Sequence, residues 1–242
     1  MHRFEPVAQI YFIQLASANA MKPSFNEWSD SVQIQARERL VERMRSMAFK
    51  PEPEQVHQLI EYAMLMSRWN RAYNLTAVRE PMAIVERHLL DSLSIASWIA
   101  ADTVLDAGTG AGLPGIPLAV VDRGREFVLV DSNGKKIRFV REAVRRLGLN
   151  HVRPLQARLE SLDAAYENTS VDIVCRALAS LDQLIEWSAA WLGRGARLLA
   201  MKAAISDSER SAVPAHYNVK IEALEAVHSA AQARNLVIVS RR

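Results

Sequence analysis

A chain of 242 residues, half of them hydrophobic, has apolar side chains enough for one full domain plus an extension, which excludes global disorder. Thirty Lys and Arg against 27 Asp and Glu leave a formal net charge of +3, which permits nucleic-acid binding without arguing for it. The single cysteine, Cys175, excludes an intramolecular disulfide and a cysteine-cluster metal site and suits a reducing cytoplasm.

In chain order, His2 and Arg3 precede an apolar stretch from Val7 to Leu15, and Ala18-Asn19-Ala20 has the small residues of a signal cleavage site. Glu5, Gln9 and Gln14 interrupt that stretch. Residues 1–20 therefore read as a disordered extension ahead of a start at Met21, rather than as a secretory signal. No segment reaches the length of a membrane-spanning helix. Asn74-Leu75-Thr76 and Asn168-Thr169-Ser170 match the glycosylation pattern, by chance if the protein is cytosolic.

Residues 21–100 read as a helical extension packed on a core that occupies 101–242. Val32–Met47 is a charged helix, ended by Pro51 and Pro53; Pro53 suits the first turn of the next helix. There Val56, Leu59, Ile60, Ala63 and Met66 or Ser67 recur at helical spacing, with Trp69 and Tyr73 extending the apolar side. After Tyr73-Asn74-Leu75-Thr76, Pro81 opens a helix whose face includes Ile84, Val85, His88 and Leu89. His88 has no second His or Cys at ligand spacing, so no metal site is expected.

From Thr103 the pattern alternates between strand and helix. Expected strands are Val104–Ala107, Phe127–Val130, Val152–Gln156, Val171–Cys175 and Ala196–Met201. Expected helices are Ile116–Val121, Lys135–Arg146 with Gly148 just beyond its end, and Leu181–Trp191. Val219–Ala223 and Leu236–Val239 suggest an antiparallel hairpin-like ending, with room for a short helix near Glu225–Ala231. The alternation predicts an α/β fold: a mostly parallel sheet with helices on both faces and an antiparallel C-terminal strand.

Gly108, Gly110 and Gly112 follow the first strand and precede a helix, a backbone that can approach a ligand closely. The spacing is not the Gly-x-Gly-x-x-Gly of a dinucleotide site; Gly110 to Gly115 fits that pattern only out of place. No Gly-Lys-Ser/Thr occurs, which excludes a P-loop. Asp131 ends the second strand, where a carboxylate can accept hydrogen bonds from a ribose 2′,3′-diol. NAD and S-adenosylmethionine both carry that diol, so an NAD-dependent oxidoreductase stays open here, as does a non-catalytic cofactor-binding partner protein.

Two stretches, Arg87 to Leu93 followed by Asp106 to Pro117, and Leu129 to Ser132 with Lys135 to Val140, carry a closer resemblance. Tyr73 to Thr76, Ala157 to Glu160, Cys175 to Ala177 and Met201-Lys202 add to it. From about Asn70 to Lys202 the chain resembles the bacterial 16S rRNA guanine-N7 methyltransferases, the glucose-inhibited division protein B family. The resemblance implies a class I, Rossmann-like methyltransferase using S-adenosylmethionine on a guanine of 16S rRNA, in the 30S subunit or an assembly intermediate. Monomeric state and a cytoplasmic location are expected with it. It further implies cofactor contacts at Gly108, Leu113, Leu159, Glu160 and Arg176, beside Gly110, Gly112 and Asp131. Cys175 and Ala203 stand where the family often has Ser and Gly.

Guanine N7 carries a lone pair and no proton, so its methylation needs alignment and dryness rather than a general base. Arg176, at the end of the fourth strand, is a candidate to hydrogen-bond guanine O6 or hold a phosphate; His88 and Lys202 are further catalytic candidates. Cys175 must face away if Arg176 faces the site, because successive strand residues alternate, so it reads as a buried hydrophobe rather than the nucleophile of a cytosine-C5 enzyme. Lys135, Arg138, Arg141 and Arg145 recur at helical spacing as a candidate rRNA surface, or as a solvated face.

Overall fold

A computed structural model describes residues 28–162, 170–176, 178–224 and 234–242. Residues 1–20, Asn168 and the expected helix near Glu225–Ala231 lie outside them. Strands β1 (Thr103–Ala107), β2 (Glu126–Asp131), β3 (Val152–Gln156), β4 (Val171–Arg176), β5 (Arg197–Lys202), β6 (Tyr217–Leu224) and β7 (Arg234–Arg241) form one sheet in the order β3-β2-β1-β4-β5-β7-β6. The first five pair in parallel. β7 runs antiparallel to both β5 and β6, so the closing pair joins the sheet through β7.

Strand periodicity divides the core in two. Val104, Phe127, Leu129, Val174 and Leu199 face one hydrophobic cluster, whereas Leu105, Val128, Val130, Ile173, Cys175 and Leu198 face the other. The first cluster is covered by α1 (Asp30–Ser46), α2 (Pro53–Tyr73), α5 (Gly115–Val121) and α6 (Gly134–Leu147), the second by α7 (Leu181–Gly193). Sheet residues and N-terminal helices thus share a single apolar layer.

Helix α2 begins with Pro53 in its first turn, and Gln55 Oε1 accepts from the Glu52 N–H at 3.2 Å. Its expected face, Val56, Leu59, Ile60, Ala63 and Met66, is buried, together with Tyr62. Asn74 ends it in the left-handed region, φ 47°. Tyr62 lies stacked near Phe139 of α6, centroids 6.2 Å apart, and its hydroxyl donates to the Ala111 carbonyl at 2.5 Å. This helix therefore braces the glycine turn from below.

The segment opened by Pro81 departs from the expected α-helix. Short α3 (Pro81–Ile84) runs into a π-helical turn, Val85–Leu90, and then α4 (Asp91–Leu93). The Asp91 N–H reaches back to the Glu86 carbonyl, and Ser92 Oγ donates to the His88 carbonyl at 2.6 Å. Such side-chain competition loosens the regular ladder. A short α8 (Asp207–Ser211), absent from the sequence expectations, starts at a Ser206–Glu209 capping box.

Candidate active site

The turn after β1 is built around Asp106. Its carboxylate is fully buried; Oδ2 accepts from Thr109 Oγ1 at 2.6 Å and from the Gly115 N–H at 2.8 Å. A Cβ at Gly115 would sit 2.6 Å from that oxygen, so the helix start can approach only without one. Gly115 is therefore occupied internally, which removes the displaced dinucleotide pattern as a ligand loop. Gly108, Gly110 and Gly112 all have positive φ, 65°, 59° and 88°. At Gly110 this conformation aims the N–H at Asp131 Oδ2, 3.0 Å away.

A cavity of about 590 Å³ opens above the carboxyl ends of β1, β2 and β4. This is where the sheet order turns from β2 and β3 on one side to β4 and β5 on the other, the usual ligand position in an open parallel sheet. The structure brings Gly108, Gly110, Leu113, Asp131, Leu159, Glu160 and Arg176 together around it. Gly112 does not line it. Its amide bonds the Thr109 carbonyl, and the Ile116 side chain and Tyr62 hydroxyl occupy the space beside it.

Asp131 has only 9% of its side chain exposed. Oδ1 accepts from the Asn133 N–H at 2.8 Å, and Lys136 Nζ stands 3.8 Å from Oδ2. Each oxygen thus accepts one backbone N–H and keeps a second lone pair for a ligand hydroxyl. Beyond β3, Leu159 and Glu160 sit in a 3-10 turn, Leu159–Ser161, the former buried and the latter exposed.

Arg176 leans from β4 across the cavity wall. Its Nη1 donates to the Arg87 carbonyl at 2.9 Å and to Asp91 Oδ2 at 3.1 Å. Arg234 Nη1 donates to the same Asp91 oxygen at 2.6 Å, from the start of β7. His88 does not reach the cavity. Thr76 Oγ1 lies 2.7 Å from its Nε2, and Nδ1 lies 3.0 Å from the Arg87 carbonyl. Arg176 Nη2 also stands 3.4 Å from Nδ1, so both ring nitrogens are engaged within the protein. Burial, reinforced by the Arg176 charge, lowers the His88 pKa to about 4. As a candidate base it is already engaged; its place is behind Thr76, which does line the cavity.

Lys202 is likewise turned away, with Nζ 2.8 Å from Glu209 Oε1 and 3.2 Å from the Ala179 carbonyl. Cys175 is buried on the opposite face of β4 from Val174, and desolvation pushes its thiol up to about 12. A thiolate nucleophile there is ruled out at neutral pH. Along α6, Lys135, Arg138, Arg141 and Arg145 are all exposed, and Arg145 pairs with Glu142 at 2.8 Å.

Thr76, Thr109, Lys136, Arg158 and Trp187, none of them among the expected site residues, also line the cavity. Thr76 belonged to a recognised block; Trp187 faces the cavity from α7 and carried no local signal.

Residues 55–237 match the family model described as GidB, rRNA small subunit methyltransferase G. The ribosomal RNA small subunit methyltransferase G of Marinobacter nauticus is 41% identical over 198 residues, covering 82% of this chain and 92% of that one. The protein of the same name from Methylococcus capsulatus is 47% identical over 171 residues, 71% of this chain and 82% of that one. Among solved structures, the B. subtilis tRNA methyltransferase TrmK shares the fold with a TM-score of 0.50 at 15% identity, over 62% of this chain and 65% of that chain.

Proposed function

The chain belongs to the rRNA small subunit methyltransferase G family, and from that premise we propose that it methylates N7 of a guanine in 16S rRNA, acting as a cytoplasmic monomer on the 30S subunit or an assembly intermediate. The observation that carries this reading is the joining of the glycine turn, the Asp131 carboxylate and Arg176 around one cavity at the strand ends. The cavity falls within the 300–1,000 Å³ typical of small-ligand sites.

The donor set fits S-adenosylmethionine. Asp131 offers free lone pairs to a ribose diol, the Gly108–Gly110 backbone admits the amino-acid end, and Leu159 and Glu160 supply an apolar edge and a carboxylate for adenine. Bound there, S-adenosylmethionine supplies an electrophilic methyl group on a sulfonium sulfur. The chain's own work is to orient and to exclude water, which can lower a barrier by about 7–11 kcal/mol. Guanine N7 has no proton to lose, in keeping with a His88 that is neutral and hydrogen-bonded on both nitrogens. Arg176 can donate to guanine O6 while Asp91 and the Arg87 carbonyl hold its Nη1. Lys135, Arg138, Arg141 and Arg145 form an exposed basic strip for rRNA phosphates.

Nucleoside mass spectrometry of 16S rRNA from cells with and without this protein tests the reading. A 7-methylguanosine dependent on the protein is expected; its persistence in the protein's absence overturns the assignment. Labelled methyl transfer to 30S particles and to naked 16S rRNA separates the two substrate forms.

A further inference from the structure

Ile34, Tyr73 and Leu178 are the exposed large hydrophobic side chains among the described residues. Two of these three belong to the cavity region. Leu178 lines the cavity, and Tyr73 immediately precedes Asn74 and the lining residues Leu75 and Thr76.

The packing of α2 on α6 locates Tyr73 more closely. Gln58 Nε2 donates to the Leu147 carbonyl at 2.7 Å, Glu61 pairs with Arg146 at 2.7 Å, and Trp69 meets the edge of Phe139 with centroids 5.5 Å apart. The two helices therefore run antiparallel. Tyr73, one turn beyond Trp69, lies toward the start of α6, where Asn133 and Lys136 line the cavity. Its ring stacks on Trp69, centroids 5.0 Å apart and planes 29° apart. Trp69 in turn is backed by Phe139, so the ring is held in place from behind. The tyrosine nevertheless stays 40% exposed, with the exposed cations Lys135 and Arg138 on the neighbouring helix.

An exposed aromatic ring backed by a second ring, with cations on the adjacent helix, is the arrangement that holds an unpaired base while its phosphates are neutralised. We propose that Tyr73 is a stacking platform for a nucleobase next to the target, on the single-stranded RNA segment that enters the cavity. This rests on the RNA substrate reading above. Tyr73 lies outside the cavity lining, so the base it takes is a neighbour of the methylated one, and stacking there tolerates any base identity.

The test compares Tyr73→Ala, Tyr73→Leu and Tyr73→Phe with the parent chain in two assays. One is steady-state methyl transfer to 30S subunits isolated from cells lacking the enzyme. The other is fluorescence of a single-stranded RNA decamer carrying 2-aminopurine. The alanine variant is expected to raise KM for 30S subunits about tenfold, with kcat and the calorimetric Kd for S-adenosylmethionine unchanged. Phenylalanine restores KM, and leucine does not. The parent and the phenylalanine variant quench 2-aminopurine, whereas the leucine variant leaves it bright. A leucine variant equal to phenylalanine in both assays, or an alanine variant with unaltered KM and quenching, overturns the platform. Lack of methyl transfer by the parent chain overturns the substrate reading alone, because the fluorescence assay reads the platform without it.

Discussion

The Asp106 carboxyl lies beneath the glycine turn with Oδ2 bonded twice, while its buried Oδ1 has no hydrogen-bond partner. Desolvation raises its pKa to about 7, against the lowering pull of the Thr109 hydroxyl and Gly115 N–H. The folded state thus holds a proton that the unfolded chain releases near pH 4. This contribution to stability is full below the unfolded pKa and is lost as pH rises through about 7. Asp106→Asn keeps a neutral group of the same shape. The thermal midpoint of the variant, measured against the parent at each pH, is expected to gain roughly 5–10 °C between pH 5 and pH 8; a constant difference defeats the claim. His88 works with the opposite sign. Its pKa is depressed to about 4, so its contribution is present above the unfolded value near 6.5 and is lost as pH falls toward 4. His88→Gln should flatten that acid limb in the same melting series. Both residues stood in recognised blocks of the sequence. Their charge states did not, because burial is a property of the surrounding helices.

Between residue and fold stands the π-helical turn Val85–Leu90, which presents the Arg87 carbonyl and the Asp91 carboxylate to Arg176. Asp91 is 4% exposed and shares one oxygen between Arg176 and Arg234. Its neutralisation leaves two guanidinium groups facing each other, so Asp91→Asn weakens the hold on Arg176 and leaves the Arg87 carbonyl as its charge-free anchor. Methyl transfer is expected to fall about 100-fold in kcat/KM for Arg176→Ala and to a similar extent for Asp91→Asn. The double variant should be scarcely worse than either alone, since Asp91 acts through Arg176; additive losses would separate them. Periodicity revealed the cations of α6 but not their pairing. Glu142 engages Arg145, an i, i+3 relation that spacing alone permits but burial and rotamer decide. Charge reversal at Arg138 and Arg141 is accordingly expected to raise KM for 30S subunits at low salt and to flatten its salt dependence. Reversal at Arg145 alone should do less.

At the scale of the molecule, the alternation from Thr103 onward made the parallel sheet legible, because each strand carries one apolar residue set per face. The insertion of β7 between β5 and β6 was less so, yet it has a reason. β7 buries Leu236, Val237 and Val239, whereas β6, an edge strand, exposes Asn218, Lys220 and Ala223 and leaves Val219, Ile221 and Glu222 half-buried. The N-terminal helices read in the sequence as an extension packed on a core, and α1 and α2 bury Ala36, Leu40, Met44, Leu59, Ile60 and Met66 in the same cluster as Val104, Phe127 and Phe139. Tyr62 also hydrogen-bonds the glycine turn directly. Helices and sheet should therefore unfold together. Trp69 fluorescence in a variant with the other tryptophans replaced by Phe reports the helices, and far-UV circular dichroism reports the whole chain; the two melting curves are expected to coincide. S-adenosylmethionine at a hundred times its Kd adds about 2.7 kcal/mol to the folded state, which should raise both midpoints together by roughly 5–10 °C. A separate Trp69 transition that the ligand leaves in place would make the helices an independent unit, and the bracing of the turn by Tyr62 would then contribute nothing to the cavity.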